Sequence, residues 1–134
     1  MNANRLALLV AAASLAAPAV VRAEEHMQPG LWQVTATVEL PGLPSPGPTT
    51  QTECVSQADA EGDGLPPIEK GACRVTDLKR SGSKVTWSLD CGQVGKGEGE
   101  IVYRSSTEYE GWMKLETAGT VVRTTLHAKR VGGC

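Results

Sequence analysis

Four cysteines are the residues of this sequence with the most restricted chemistry. Cys54, Cys73, Cys91 and Cys134 are far apart, and no CxxC pair of the kind that holds zinc occurs among them. An even number of cysteines in a short exported chain predicts disulfide bonds, which also stabilise a domain too small to bury a large core. We therefore expect two disulfides, no bound metal and no cofactor.

A short acidic segment resembles the beginning of a calcium-binding loop. Asp59, Glu61, Asp63 and Gly64 have the alternate spacing of such a loop, but its twelfth position is Lys70, where a bidentate glutamate is required. Two consecutive prolines also interrupt the segment. An acidic turn in solvent is predicted, with a calcium site as the alternative.

The sequence contains no recognisable set of nucleophile, acid and base. His127 alternates in phase with Arg123, Thr125 and Lys129, which predicts that its ring faces solvent. The disulfides leave no thiol as a nucleophile, and no G-x-S-x-G motif is present. Paired carboxylates need burial to act as acid and base, whereas the acidic pairs lie on exposed strand faces: Glu98 with Glu100, and Glu108 with Glu110. We expect a protein without catalytic activity.

The first 23 residues have the features of a cleaved secretion signal. Met1–Arg5 is positively charged, Leu6–Val21 is apolar, and small residues precede a cleavage site after Ala23. A second possible site follows Ala19. The alternative is an uncleaved membrane anchor, but 16 residues interrupted by Pro18 are short for a hydrocarbon core of about 30 Å. We expect an exported, freely soluble protein with no stable membrane insertion after cleavage.

Residues 24–134 are predicted to form a single domain. Removal of the first 23 residues, with Arg5 and Arg22, leaves 111 residues with 11 basic and 15 acidic side chains, a net charge of −4. Nucleic-acid binding needs clustered Lys and Arg, whereas the basic residues here are scattered. We expect a monomer that does not bind nucleic acid.

Apolar and polar residues alternate along most of the chain from Gln28 onward, which is typical of strands with one buried face. Seven strands are predicted, at residues 31–40, 49–55, 73–80, 83–91, 97–104, 108–118 and 121–131. Four prolines in Pro41–Pro48 predict an extended surface loop, and Ser56 with Asp59 predicts a helix of one or two turns. The predicted fold class is all-β. One antiparallel sheet curls into a small barrel or a strongly twisted sandwich, with a long irregular crossover at residues 56–72.

The inward-facing positions combine large rings with small residues, which indicates a cavity able to hold an apolar ligand. The candidate ligand-lining residues are Trp32, Trp87, Tyr103, Tyr109 and Met113. The alternative is that the rings fill the interior as a packed core, in which Gly97 and Gly99 leave room for a bend or for a bulky neighbour such as Trp87.

Trp112 is predicted on the opposite face, in phase with Glu110 and Lys114. Because an exposed tryptophan is typical of a binding surface, Trp112 is the candidate partner surface, together with the proline-rich loop.

Strand direction selects one of the three possible disulfide patterns. A hairpin places the start of the third strand beside the end of the fourth, so Cys73 lies near Cys91. Three more strands follow, so Cys134 lies at the other end of the sheet, beyond the roughly 7 Å Cα separation that a disulfide permits. We therefore predict Cys73–Cys91 and Cys54–Cys134, with residues 56–72 crossing the sheet. From the entropy of loop closure, the Cys73–Cys91 bond should stabilise the folded chain by about 3 kcal/mol and the Cys54–Cys134 bond by about 4 kcal/mol.

Seven segments of the sequence together carry a family resemblance. They are QPGLWQVT at 28–35, CVSQAD at 54–59, CRVTD at 73–77, VTW at 85–87, GEGE at 97–100, YEG at 109–111 and KRVGGC at 129–134. They resemble the bacterial exported family called domain of unknown function 3617. The resemblance implies a proteobacterial periplasmic protein and no particular activity. The methionine-rich runs of the family are reduced here to Met113, which argues against a soft-metal site.

The function predicted from these features is non-catalytic binding of a small apolar ligand in the periplasm. The alternative is a protein-protein interaction or envelope accessory module that acts through Trp112 and the proline-rich loop.

Overall fold

The computed structural model describes residues 27–65 and 73–134. The predicted signal peptide and part of the predicted crossover, residues 66–72, lie outside the described residues. In chain order the elements are β1 (Gly30–Glu39), β2 (Pro48–Val55), α1 (Gln57–Ala60), β3 (Arg74–Ser81), β4 (Lys84–Asp90), β5 (Lys96–Ser105), β6 (Glu108–Thr117) and β7 (Thr120–Gly132), with a 3-10 turn at Gly92–Val94. Every predicted strand is present, with ends within two residues of the prediction.

The seven strands form one antiparallel sheet in the order β2-β1-β7-β6-β5-β4-β3. This confirms the predicted all-β fold class. The sheet is open rather than closed, because β2 and β3 each pair with a strand on one side only. A bulge between Thr76 and Lys79, with Asp77 at a φ of 50°, interrupts the β3 edge. Bulges and charged residues of this kind discourage further strand pairing at an edge.

The two ends of the sheet differ, and each has one disulfide. One end, where β1 begins and β7 ends, is called the plugged end here because the segment after β2 covers the core there. At this end Cys54 is bonded to Cys134 with a Cα separation of 5.8 Å. At the open end β3 begins and β4 ends, and Cys73 is bonded to Cys91 with a Cα separation of 4.0 Å. These are the two pairs predicted from strand direction.

Alternate side chains of the strands form the core on the inner face of the sheet. Val34, Ala128, Tyr109 and Tyr103 stand opposite one another across β1, β7, β6 and β5. All four are buried, as are Val85, Trp87 and Leu89 at alternate positions of β4. The side chains between them in sequence lie on the outer face, as the period-two pattern predicts.

The segment after β2 covers the inner face at the plugged end. Ser56 and Asp59 form the predicted capping box, so α1 begins where the sequence indicates. Ala60 and Leu65 are buried in the core. The hydroxyl of Tyr103 donates a hydrogen bond of 2.6 Å to the carbonyl oxygen of Gly64, which fastens this segment to the sheet.

Gly99 provides the space that the Trp87 ring occupies. The two residues stand opposite each other on β5 and β4, and a Cβ atom on Gly99 would lie 2.7 Å from Cε2 of Trp87. No real Cβ contact is that short, so the ring or the strand would have to move. Both are held by a packed core, in which such movement costs free energy.

The Gly99→Ala variant should therefore unfold more easily, with the free energy of unfolding lowered by about 1–3 kcal/mol. Urea denaturation followed by tryptophan fluorescence measures this change. Gly133→Ala is the matched control, because a Cβ atom there meets no atom within 4 Å. Equal midpoints for the two variants would contradict the role assigned to Gly99.

Candidate functional site

Three of the predicted ligand-lining rings pack against one another in the core at the plugged end. The ring centroids of Trp32 and Tyr109 are 5.6 Å apart, and those of Tyr103 and Tyr109 are 5.7 Å apart. The exposed fraction of each residue is 2% or less. The indole N–H of Trp32 donates to the carbonyl oxygen of Gln28 at 2.9 Å. The surfaces of these three rings are covered by other residues of the protein.

The other two predicted ligand-lining residues, Trp87 and Met113, lie nearer the open end. Trp87 is 3% exposed, and its indole N–H has no hydrogen-bond partner among the described residues. Met113 stands opposite Gly99 and is only partly buried, as are Leu115 and Leu126 on the same face. Along β6 and β7, burial of the inner face thus decreases from the plugged end towards the open end.

Trp112 lies on the outer face of β6, as predicted, and is partly buried. Two cationic side chains contact its ring. Nζ of Lys114 is 5.1 Å from the ring centroid, and Cζ of Arg123 on β7 is 5.3 Å from it. Both distances are within the range of cation-π attraction, so the ring and the two cations form one cluster, here called the Trp112 cluster.

Two adjoining clefts lie beside the Trp112 cluster. The narrow cleft, of about 470 Å³, is lined by Trp112 and by polar side chains of β3, β4 and β5, among them Thr86, Ser88 and Glu98. The wide cleft, of about 880 Å³, extends to the open end. Ser88 and Glu98 line both clefts, so the two clefts adjoin each other, and Trp112 lines the narrow one.

The turn after β4 forms one wall of the wide cleft. The backbone N–H of Gly92 donates to Oδ1 of Asp90 at 3.0 Å, and this bond, with a smaller contribution from Arg74, lowers the pKa of the Asp90 carboxyl. The backbone N–H of Cys91 donates to the carbonyl oxygen of Gly95 at 2.9 Å. The Cys73–Cys91 disulfide therefore anchors this wall.

Each of the four acidic residues noted in the sequence contacts an exposed basic side chain. Glu98 pairs with Lys114 at 3.6 Å, and Oε1 of Glu108 lies 2.9 Å from Nε2 of His127. The remaining pairs are Glu100 with Lys84 and Glu110 with Arg104. No group of three metal-ligating side chains occurs within residues 27–65 and 73–134. The outer face is suited to recognising a ligand by charge and shape.

Residues 27–134 match a family described as Protein of unknown function (DUF3617). The chain belongs to the DUF3617 family. The resemblance seen in the sequence is thereby confirmed. No curated protein and no solved structure matches the chain. The family description specifies no activity, so the function of this DUF3617 protein must be inferred from its own surfaces.

Large apolar side chains are exposed around the open end of the DUF3617 domain. Leu43 in the proline-rich loop is 64% exposed, and Val94 and Val121, which line the wide cleft, are 54% and 44% exposed.

Sequence reasoning placed Arg123 in solvent but missed its contact with Trp112, and it also missed the wide cleft. The glycines around Val94 were the signal for a turn, but the position of that turn over the outer face depends on pairing between strands.

Burial makes the Tyr103 hydroxyl sensitive to alkaline pH. Burial raises its pKa from 10.0 to about 12, because the charged phenolate is poorly solvated in the core. In the unfolded chain this group ionises near pH 10. Its contribution to stability is therefore complete below pH 10 and is lost as the pH rises from about 10 through 12. The pKa of Tyr109 is raised for the same reason.

Tyr103→Phe should lower the free energy of unfolding by about 1–2 kcal/mol at pH 7, because the Gly64 carbonyl loses its donor. The variant should also lose less stability than the parent between pH 9 and pH 11. Urea denaturation at pH 7, 9 and 11 measures both effects. An equal pH dependence in parent and variant would show that Tyr103 is not the titrating group.

Proposed function

We propose that this DUF3617 protein is an exported, non-catalytic interaction domain that binds a protein partner of the bacterial envelope. The partner surface consists of the Trp112 cluster, the two clefts beside it and the exposed aliphatic side chains of the open end. The observation that carries the proposal is the position of Trp112, a partly buried ring that lines the narrow cleft on the outer face, next to the wide cleft.

The composition of this surface favours a protein partner. Tryptophan and arginine are the residues that most often dominate binding energy at protein interfaces, and exposed aliphatic side chains supply the apolar area around them. Trp112 and Arg123 provide the first kind of residue, and Val94 and Val121 provide the second. The acidic residues nearby are ion-paired, with Glu98 exposed and Glu100 partly exposed, an environment that favours salt bridging over acid-base chemistry.

The disulfides support an extracytoplasmic location. Both cysteine pairs are bonded, and such bonds persist in oxidising compartments such as the periplasm. Among the described residues, no helix has the length and apolarity needed to cross a membrane. We propose export by the N-terminal segment as the route to the periplasm.

A photo-crosslinking amino acid at Thr125 tests the interaction surface in living cells. Thr125 is exposed on β7 directly opposite Trp112, so a bound partner should be captured there as a discrete crosslinked product. The product should disappear in the Trp112→Ala variant, because truncation of a central tryptophan removes much of the binding energy.

The matched control places the same crosslinker at Thr52, which is exposed on β2, three strands from β6 in the sheet. It should give no such product. Equal capture at both positions, or a Thr125 product that persists in Trp112→Ala with unchanged yield, would refute the proposal. Disulfide content and near-ultraviolet circular dichroism establish that each variant is folded.

A second candidate function, binding of a small apolar ligand, rests on the inner face near the open end. Met113, Leu115 and Leu126 are only partly buried there, and the indole N–H of Trp87 lacks a partner among the described residues. Apolar surface of this kind is suited to contact with a hydrocarbon group.

A native mass spectrum of the protein purified from periplasm without reducing agent tests this second function. A ligand should appear as added mass that survives desalting and disappears on denaturation. A mass equal to residues 24–134 less four hydrogens, with nothing added, would count against the ligand while agreeing with signal cleavage and two disulfides.

A further inference from the structure

Arg123 differs in its contacts from Lys84 and Lys114, two other cations of the outer face. The neighbouring cations Lys84 and Lys114 form ion pairs with Glu100 and Glu98. Arg123 forms no ion pair within residues 27–65 and 73–134, and its contact there is with the ring of Trp112. Glu39 stands opposite it on β1 but is not within ion-pair distance. Among the described residues, no carboxylate therefore lies within ion-pair distance of the Arg123 guanidinium, although Glu39 and Glu116 are close to it in the strand pairing.

Strand pairing brings a second cation next to this arginine. Lys114 on β6 stands directly opposite Arg123 on β7. Like charges at opposing positions of neighbouring strands repel each other, and the Glu98 carboxylate, 3.6 Å from Nζ of Lys114, compensates this repulsion in part. An anion placed between the two side chains is attracted by both cations and competes with Glu98 for Lys114. The pairing therefore offers two cations to an anionic ligand.

Trp112 holds both cations in position. Lys114 and Arg123 each lie within 5.3 Å of the ring centroid. A guanidinium restrained against an aromatic ring loses less conformational freedom when it binds a carboxylate, and its planar donors match the two carboxylate oxygens. The Trp112 cluster is thus organised for this interaction before any ligand arrives.

The surroundings of the Trp112 cluster indicate what else the ligand contains. Lys114, Val94 and Val121 all line the wide cleft. Both valines are substantially exposed, so a group seated at the cations has apolar surface beside it. An acidic side chain flanked by apolar side chains, on a segment of a protein, complements charge and surface together.

We propose that Arg123 and Lys114, held by Trp112, bind the carboxylate of an aspartate or glutamate in an apolar-flanked segment of the partner protein. This proposal rests on the proposed function, since it specifies the group that the partner inserts at the same surface. Arg123 makes the bidentate contact, Lys114 adds charge, and Trp112 positions both.

An NMR titration of the oxidised 24–134 chain tests the proposal with two peptides. The probe is acetyl-Val-Glu-Val-amide, and its matched control is acetyl-Val-Gln-Val-amide, which has the same shape without the charge. The Glu peptide should shift the indole N–H of Trp112 and the Nε–H of Arg123 with a saturable dependence, weakened by added salt. The Gln peptide should bind about tenfold more weakly or produce no shift, because a charged hydrogen bond is lost.

Three variants locate the effect. Arg123→Gln should raise the Kd of the Glu peptide about tenfold, and Arg123→Lys should raise it less, because the charge remains while the planar donors are lost. Lys84→Gln removes a cation from the same face and should leave the Kd unchanged, since Lys84 pairs with Glu100. Arg123 is partly exposed, so its replacement should leave the amide spectrum that of a folded chain.

Equal affinity for the Glu and Gln peptides, or an unchanged Kd in Arg123→Gln, would overturn the carboxylate assignment. Inorganic phosphate that shifts the same two resonances while the Glu peptide does not would also overturn it. Failure of this proposal can be distinguished from failure of the proposed function. A Thr125 crosslink that persists in Arg123→Gln but is lost in Trp112→Ala would retain the interaction surface and reject only the carboxylate contact.

Discussion

The alignment of Val34, Ala128, Tyr109 and Tyr103 across four neighbouring strands is the constraint on which the rest of the structure depends. Ala128 is small where the side chains beside it are large, so the row packs without a gap and is completely buried at its centre. A slip of one residue in any of these strands would turn buried side chains to solvent and charged ones inward. The register is therefore determined by the cost of removing charge from water and by the loss of ring packing.

This constraint also determines the outer face. Once the inner positions are assigned, every intervening residue is directed outward, and strand pairing decides which of them are neighbours. Most of the charges brought together in this way have opposite sign, as in the pairs of Glu98 with Lys114 and Glu100 with Lys84. Lys114 and Arg123 are the exception that the fold tolerates next to Trp112. This face can form a binding surface because its side chains do not pack in the core.

The open form of the sheet explains why the two ends have different roles. At the plugged end, the segment after β2 and the Tyr103 hydrogen bond to Gly64 complete the core. At the open end, apolar side chains such as Leu43 and Val94 are exposed to solvent instead. One disulfide restrains each end, Cys54–Cys134 at the chain terminus and Cys73–Cys91 at the wall of the wide cleft. The packed rings and the proposed interaction surface therefore lie towards opposite ends of one sheet.

Much of the fold could be predicted because its signals lie within single strands or depend only on how many times the chain reverses direction. The period-two pattern identified the seven strands and the face of each aromatic ring, and strand direction alone selected the disulfide pairs. Family membership was likewise visible in the sequence.

By contrast, β1 pairs with β7, about 90 residues away, and the pattern within either strand contains no information on that choice. The openness of the sheet, the clefts, and the contact of Arg123 with Trp112 all follow from lateral pairing. The sequence by itself determined which side chains face inward and which cysteines can meet, because both depend on counting along the chain. Only the tertiary structure decided which outward side chains are neighbours, because that depends on the order and register in which distant strands pair.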